Sequence, residues 1–166
     1  MLDHWLSFLP FLIAVVLVAS SGSVFMPGEW YRGLDKPSWT PPDWVFAPAW
    51  SVLYLIIAVA GWLAWQASGI GLALVFWCAN LVFNCAWSWL MFGRREIGYA
   101  LSDSVAMLVT IVGFIITVFP ASPLAAALFV PYLCWVAFAT ALNWSILERN
   151  KVPSPPPAQS HKPDRS

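Results

Sequence analysis

The sequence predicts an all-α fold: a polytopic membrane protein built as a bundle of five transmembrane helices. Three observations carry this. The chain is 60% hydrophobic and 10% charged, far from the balance of a soluble domain. Five segments, near residues 5–25, 45–65, 71–92, 97–119 and 123–147, are largely apolar and about 20 residues long, as a hydrocarbon core demands. The basic residues also segregate. With five crossings, Arg32, Lys36, Arg94, Arg95, Arg149, Lys151, Lys162 and Arg165 all fall on one side of the bilayer and none on the other. Positive charge marks the cytoplasmic face. The 1–2 loop, the 3–4 loop and the carboxyl tail are therefore expected in the cytoplasm, and the amino terminus outside.

The first segment carries Asp3, no Lys or Arg at its start and no small-x-small cleavage site, so it reads as a retained helix rather than a signal peptide. It ends in Ser20-Ser21-Gly22-Ser23, small residues that permit close helix approach. The loop that follows is unusual for a membrane protein. It holds Trp30, Tyr31, Trp39 and Trp44, with Pro37, Pro41 and Pro42 fixing the backbone between them. A rigid aromatic loop suits a lid over a flat, amphipathic ligand.

The second helix has Asp43 as a candidate N-cap and Pro48 in its opening turns, and it carries Trp50 and Tyr54 on one face. A short link, Gln66-Ala67-Ser68-Gly69, implies that the second and third helices are antiparallel neighbours. On the third helix, Asn80, Asn84 and Ser88 repeat every four residues, with Trp87 beside them. Unpartnered carboxamides in hydrocarbon cost several kcal/mol. This stripe is expected to face inward, either as interhelical bonds or as the polar anchors of a pocket. Gly69, Ala73 and Cys78-Ala79 form a small-residue face suited to helix contact or a homodimer.

In the fourth helix, Asp103 lies about 9 Å from the start at 1.5 Å per residue, and is expected to be interfacial and solvated. The fifth helix contains Pro131, expected to kink it and open a cavity, then Trp135, Thr140 and Asn143. Residues 1–149 thus make one membrane domain. The tail 150–166, with Pro153-Ser154-Pro155-Pro156-Pro157, reads as disordered. Trp5, Trp62, Trp65, Trp77 and Trp89 fit interface anchors.

Absences narrow the function. The only histidines, His4 and His161, are terminal, and no Cys or His cluster has metal spacing. Cys78, Cys85 and Cys134 all fall within helices and read as small hydrophobes. No nucleophile–base–acid set lies at membrane depth, so no catalytic residue, metal or required cofactor is assigned. A net formal charge of zero gives no support to a nucleic-acid partner. What remains is a bundle able to enclose an apolar ring by aromatic contact and a few amide or hydroxyl bonds.

The motifs resemble the TspO/translocator protein family, also called tryptophan-rich sensory proteins or peripheral-type benzodiazepine receptors. They are Trp30-Tyr31, Leu34-x-Lys36-Pro37-x-Trp39-x-Pro41-Pro42-x-Trp44-x-Phe46, Trp50 with Tyr54, Phe83-Asn84-x-x-Trp87, Phe92-Gly93, Val130-Pro131-Tyr132-Leu133-x-Trp135 and Leu142-Asn143. The resemblance runs to about Asn150 and, with the charge pattern, suggests a bacterial member in the cell membrane. It implies a five-helix bundle, commonly homodimeric, that binds porphyrins, sterols and synthetic isoquinoline or benzodiazepine ligands under the 1–2 loop. Carried over, the pocket comprises Trp39, Trp50, Tyr54, Asn84, Trp87, Tyr132, Trp135, Ala139 and Asn143, with Trp30, Tyr31, Pro41, Pro42 and Trp44 as the lid.

The family's sterol motif has Tyr after Leu142-Asn143, where this chain has Trp144. That favours a protoporphyrin-type tetrapyrrole over a sterol. Three functions stay open: a receptor or sensor for porphyrins that tunes tetrapyrrole or stress metabolism, light-dependent oxidative breakdown of bound protoporphyrin with Trp50 and Trp135 as electron donors, and transport of porphyrin or sterol-like solutes.

Overall fold

The computed structural model describes residues 2–151. Among these there is no strand. The elements are α1 (Leu2–Val24), a one-turn α2 in the first loop (Glu29–Arg32), α3 (Asp43–Ser68), α4 (Leu72–Ser88) continued by a π-helical turn (Trp89–Gly93), α5 (Ile97–Val118) and α6 (Pro123–Asn150). Five helices are long and apolar enough to cross a membrane: α1, α3, α4 with its π turn, α5 and α6. The chain is an all-α integral membrane protein. The tail expected to be disordered lies, from residue 152 on, outside the described residues, as does the side chain of Trp5.

Packing closes the five spans into a ring, in the order α1, α3, α6, α5, α4 and back to α1. Sequence neighbours α3 and α4 therefore touch only sparsely, because α1 packs on both. The left-handed Gly69 (φ 64°) turns the chain between them, a conformation glycine adopts without penalty. One close approach is Gly61 against Trp77, where any side chain at Gly61 would overlap the indole.

Trp77 corrects an expectation. It is no interface anchor but a core residue, 4% exposed, its Nε1 donating to the Ile57 carbonyl at 2.9 Å and its ring on Phe11. Trp62 and Trp65 also pack inward on α1: Trp62 Nε1 donates to Ser7 Oγ at 3.0 Å and Trp65 meets Phe11. Trp89 stays half-exposed, with the Arg94 guanidinium over its ring at 5.3 Å.

Helix termini differ in detail from expectation. Pro42 is the N-cap of α3, and Asp43 is the first helical residue, making no side-chain cap. It complements the helix dipole instead. In α6, Ser122 is the cap, its hydroxyl accepting from Ala125 N–H at 3.3 Å, with Pro123 opening the helix. Pro131 sits exposed within α6, which is assigned as one helix through it. Of the small-residue face, Ala73 is packed inside at 5% exposure while Cys78 points outward, so these residues do not share one outer surface.

Contacts bring the first loop, the 3–4 loop and the end of α6 to one end of the bundle. Arg95 lies over the Trp30 ring at 6.0 Å, and Arg149 pairs with Asp35 at 3.8 Å. All six described basic residues gather there.

Candidate functional site

Four helices meet in one chain of hydrogen bonds at the bundle centre. Tyr54 Oη (α3) donates to Asn84 Oδ1 (α4) at 2.9 Å, and Asn84 Nδ2 donates to Tyr132 Oη (α6) at 3.0 Å. Tyr132 Oη donates to Asn80 Oδ1 at 3.1 Å, and Asn80 Nδ2 donates to Thr110 Oγ1 (α5) at 3.1 Å. Thr110 Oγ1 ends the chain on the Met107 carbonyl at 2.7 Å. Every donor points the same way. The four-residue period of the Asn stripe is what aims Asn80 and Asn84 into the ring, and both are buried, as is Tyr132. The pattern satisfies both ends of each carboxamide, which hydrocarbon requires.

Aromatic rings extend this centre toward the first loop. Trp50 packs on Tyr54 in a tilted pair, with centroids 5.3 Å apart, and meets Tyr132 edge-on at 6.4 Å. A second set runs Phe46 to Trp135 at 5.9 Å, Trp135 to Phe138 at 5.9 Å, and Phe138 to Trp39 at 5.7 Å. A third joins Trp87 to Phe92 at 5.6 Å and Phe92 to Tyr31 at 5.4 Å. The nine expected pocket residues thus separate. Trp50, Tyr54, Asn84 and Tyr132 form one cluster, Trp135 and Trp39 belong to the second, and Trp87 to the third. Ala139 is half-buried one turn beyond Trp135, and Asn143 is buried further along α6.

The lid is uneven. Tyr31 is buried, with Lys36 Nζ 4.4 Å from its ring centroid. Burial, and then the negative charge of Asp43, raise its phenol above the ordinary value of 10.0. Trp30 and Pro41 are half-buried. Pro42 is exposed, and Trp44 is 74% exposed and covers nothing. Two hollows open at the surface instead. One, of about 400 Å³, is lined by Met26, Gly28, Glu29, Trp30, Phe92 and Arg95. The other, of about 300 Å³, lies between Trp39 and Trp144, the residue at the family's sterol-motif position.

The fourth span holds what sequence reasoning missed. Asp103 is not solvated: it is 9% exposed, and its Oδ2 has no hydrogen-bond partner. Distance from the helix end put it near the interface, but face decides its burial. Asp103, Met107 and Thr110 are spaced four and three apart and so share a side of α5. Met107 Sδ lies 3.4 Å from Tyr132 Oη, which turns that side inward. The period was legible in the sequence. Trp135 Nε1 and both amide atoms of Asn143 are likewise buried without partners.

Known proteins match this chain over nearly its full length. Residues 8–149 fit the TspO/MBR family. A tryptophan-rich sensory protein of Cereibacter sphaeroides is 38% identical over 146 residues, covering 88% of this chain and 92% of its own. The translocator protein of Homo sapiens is 36% identical over 158 residues, covering 90% and 94%. Protein CrtK of Rhodobacter capsulatus is 31% identical over 155 residues, covering 89% and 95%. The five-span ring and these matches agree: the chain belongs to the TspO/MBR family.

Proposed function

We propose that this protein is a membrane receptor or sensor that binds a flat, apolar ring of the porphyrin class between its helices, beneath the first loop. One observation carries the reading. The rings of Trp50, Tyr54 and Tyr132 converge on the Asn84 amide, while Trp135 Nε1 and the Asn143 amide lie buried and unpartnered on the same helix as Tyr132. Aromatic faces with a few fixed polar groups are what a ring-shaped guest needs. The names of the relatives, sensory protein and translocator protein, agree with a sensing or receptor role. The rings touch one another, so a guest enters by parting them, and the first loop is the element placed to give way. The same proposal sets the basic end of the bundle in the cytoplasm, and lets two copies pair through outward faces such as that of Cys78.

Titration of the purified protein with protoporphyrin IX in the dark, followed by tryptophan quenching, tests this. Saturable binding at one pigment per chain is expected; its absence overturns the reading. Light-dependent pigment breakdown is the second reading, favoured by the contact of Trp50 with two tyrosine rings. Illuminating the saturated complex distinguishes them: pigment that stays intact leaves only the receptor.

A further inference from the structure

Asn143 differs from every other buried carboxamide in the described chain. Asn80 and Asn84 are engaged at both oxygen and nitrogen. Asn143 is 2% exposed, yet neither its Nδ2 nor its Oδ1 has a partner. Buried polar groups left in this way are few and costly, and a ligand group is one reason to keep one.

Its position is equally specific. Asn143 follows Tyr132 by eleven residues, close to three turns, so it lies on the same side of α6 about 16 Å nearer the first loop. Its helix neighbours Leu142 and Ile146 belong to the apolar cluster that includes Tyr31, Met91 and Ile97. The free amide therefore sits in apolar surroundings under the lid, in line with the hydroxyl at the bundle centre.

A primary amide presents a donor and an acceptor side by side in one plane. Its natural complement offers an acceptor and a donor at the same spacing, as an uncharged carboxylic acid does. The acid carbonyl accepts from Nδ2–H, and the acid O–H donates to Oδ1. An ionised acid would set a charged oxygen against Oδ1, and the apolar cluster favours the neutral form. This chain already uses the two-point geometry elsewhere, where the Asn150 amide pairs with the backbone N–H and carbonyl of Asp35 at 3.1 and 3.0 Å.

We propose that Asn143 takes a carboxylic acid arm of the bound ring in such a two-point pair, which selects acid-bearing rings and orients them with the acid edge toward the first loop. This rests on the porphyrin-class reading above. The test compares protoporphyrin IX with its dimethyl ester in the dark, on the full chain and on Asn143→Leu. The wild-type protein should bind the acid at least tenfold more tightly than the ester. Asn143→Leu should bind the two equally, with a melting temperature no lower than wild type. Equal binding of acid and ester by the wild-type protein overturns the inference and leaves the porphyrin reading intact, and so does an undiminished preference for the acid in Asn143→Leu. Failure of the wild-type protein to bind either pigment overturns both. Should Asn143→Leu fail to fold, the wild-type comparison decides alone.

Discussion

The side-chain amide of Asn150 closes on the backbone of Asp35 from 115 residues away: Asp35 N–H donates to Oδ1, and Nδ2 donates to the Asp35 carbonyl. A third bond from Nδ2 to the Ile146 carbonyl at 2.7 Å anchors that amide to the last turn of α6. The first loop is thus fastened at its middle to the end of the helix that carries Tyr132, Trp135 and Asn143. The nearby Arg149–Asp35 pair is long, at 3.8 Å, and about half-exposed, so the amide bonds make the stronger link.

Asn150→Ala removes this fastening. Two hydrogen bonds at about 1 kcal/mol each should raise amide exchange in residues 30–42 by one to two orders of magnitude, while exchange in α4 and α5 stays unchanged. Ligand association and release should both accelerate. Unaltered exchange in the loop would show that the loop is held by Tyr31 and Pro37 packing alone.

Asn84 is tested by substitution to Leu. It loses the Tyr54 and Tyr132 bonds together, yet membrane hydrogen bonds of this kind average about 0.6 kcal/mol, so the protein should stay folded with a modest drop in melting temperature. Pigment affinity per folded molecule should fall about tenfold. A stability loss with affinity preserved would make Asn84 interhelical glue only.

Asp103→Asn keeps the shape of a side chain whose buried Oδ2 has no partner and removes the carboxyl group. The amide that replaces it carries no charge that would have to be buried, so a higher melting temperature is expected. A lower one would mean that Asp103 is held by a group that only the carboxyl can engage.

Much of this architecture was legible in the sequence because membrane length and charge asymmetry are strong constraints. All five spans follow from length, and the inward Asn stripe follows from the cost of an unpartnered carboxamide in hydrocarbon. Which rings meet was not legible. Trp39 and Trp50 are loop and helix residues of one aromatic stretch, but α6 separates them: Trp50 faces Tyr132 and Trp39 lies against Phe138. The fate of Asp103 depended on weighing helical face above depth, and that of Trp77 on Gly61, whose missing side chain admits the indole. Composition marks both residues as ordinary.

The proposed orientation rests on the gathering of all described basic residues at one end of the bundle. In a variant lacking the three native cysteines, Ser38→Cys and Ala121→Cys, both at exposed positions, should label from opposite sides of intact cells, with Ser38→Cys protected from an impermeant reagent. Labelling of Ser38→Cys from outside would invert the topology; labelling of both from one side would break the five-span count.

The aromatic site yields the sharpest arithmetic. Trp50 contacts Tyr54 and Tyr132, whereas Trp135 contacts Phe46 and Phe138, and no ring contact joins the two tryptophans. Separate contacts contribute nearly additively. Each aromatic pair made with the bound ring is worth about 0.5–1.5 kcal/mol beyond its area, so Trp50→Ala and Trp135→Ala should each weaken protoporphyrin binding by up to about tenfold. The double variant should then approach hundredfold. Trp62→Ala loses the Ser7 bond and the Phe8 contact between α3 and α1, away from both ring sets. It should lower thermal stability and leave affinity unchanged. Dark titrations of the four proteins decide the matter: affinity that survives the double change and falls with Trp62→Ala would move the binding site to the α1 side of the ring.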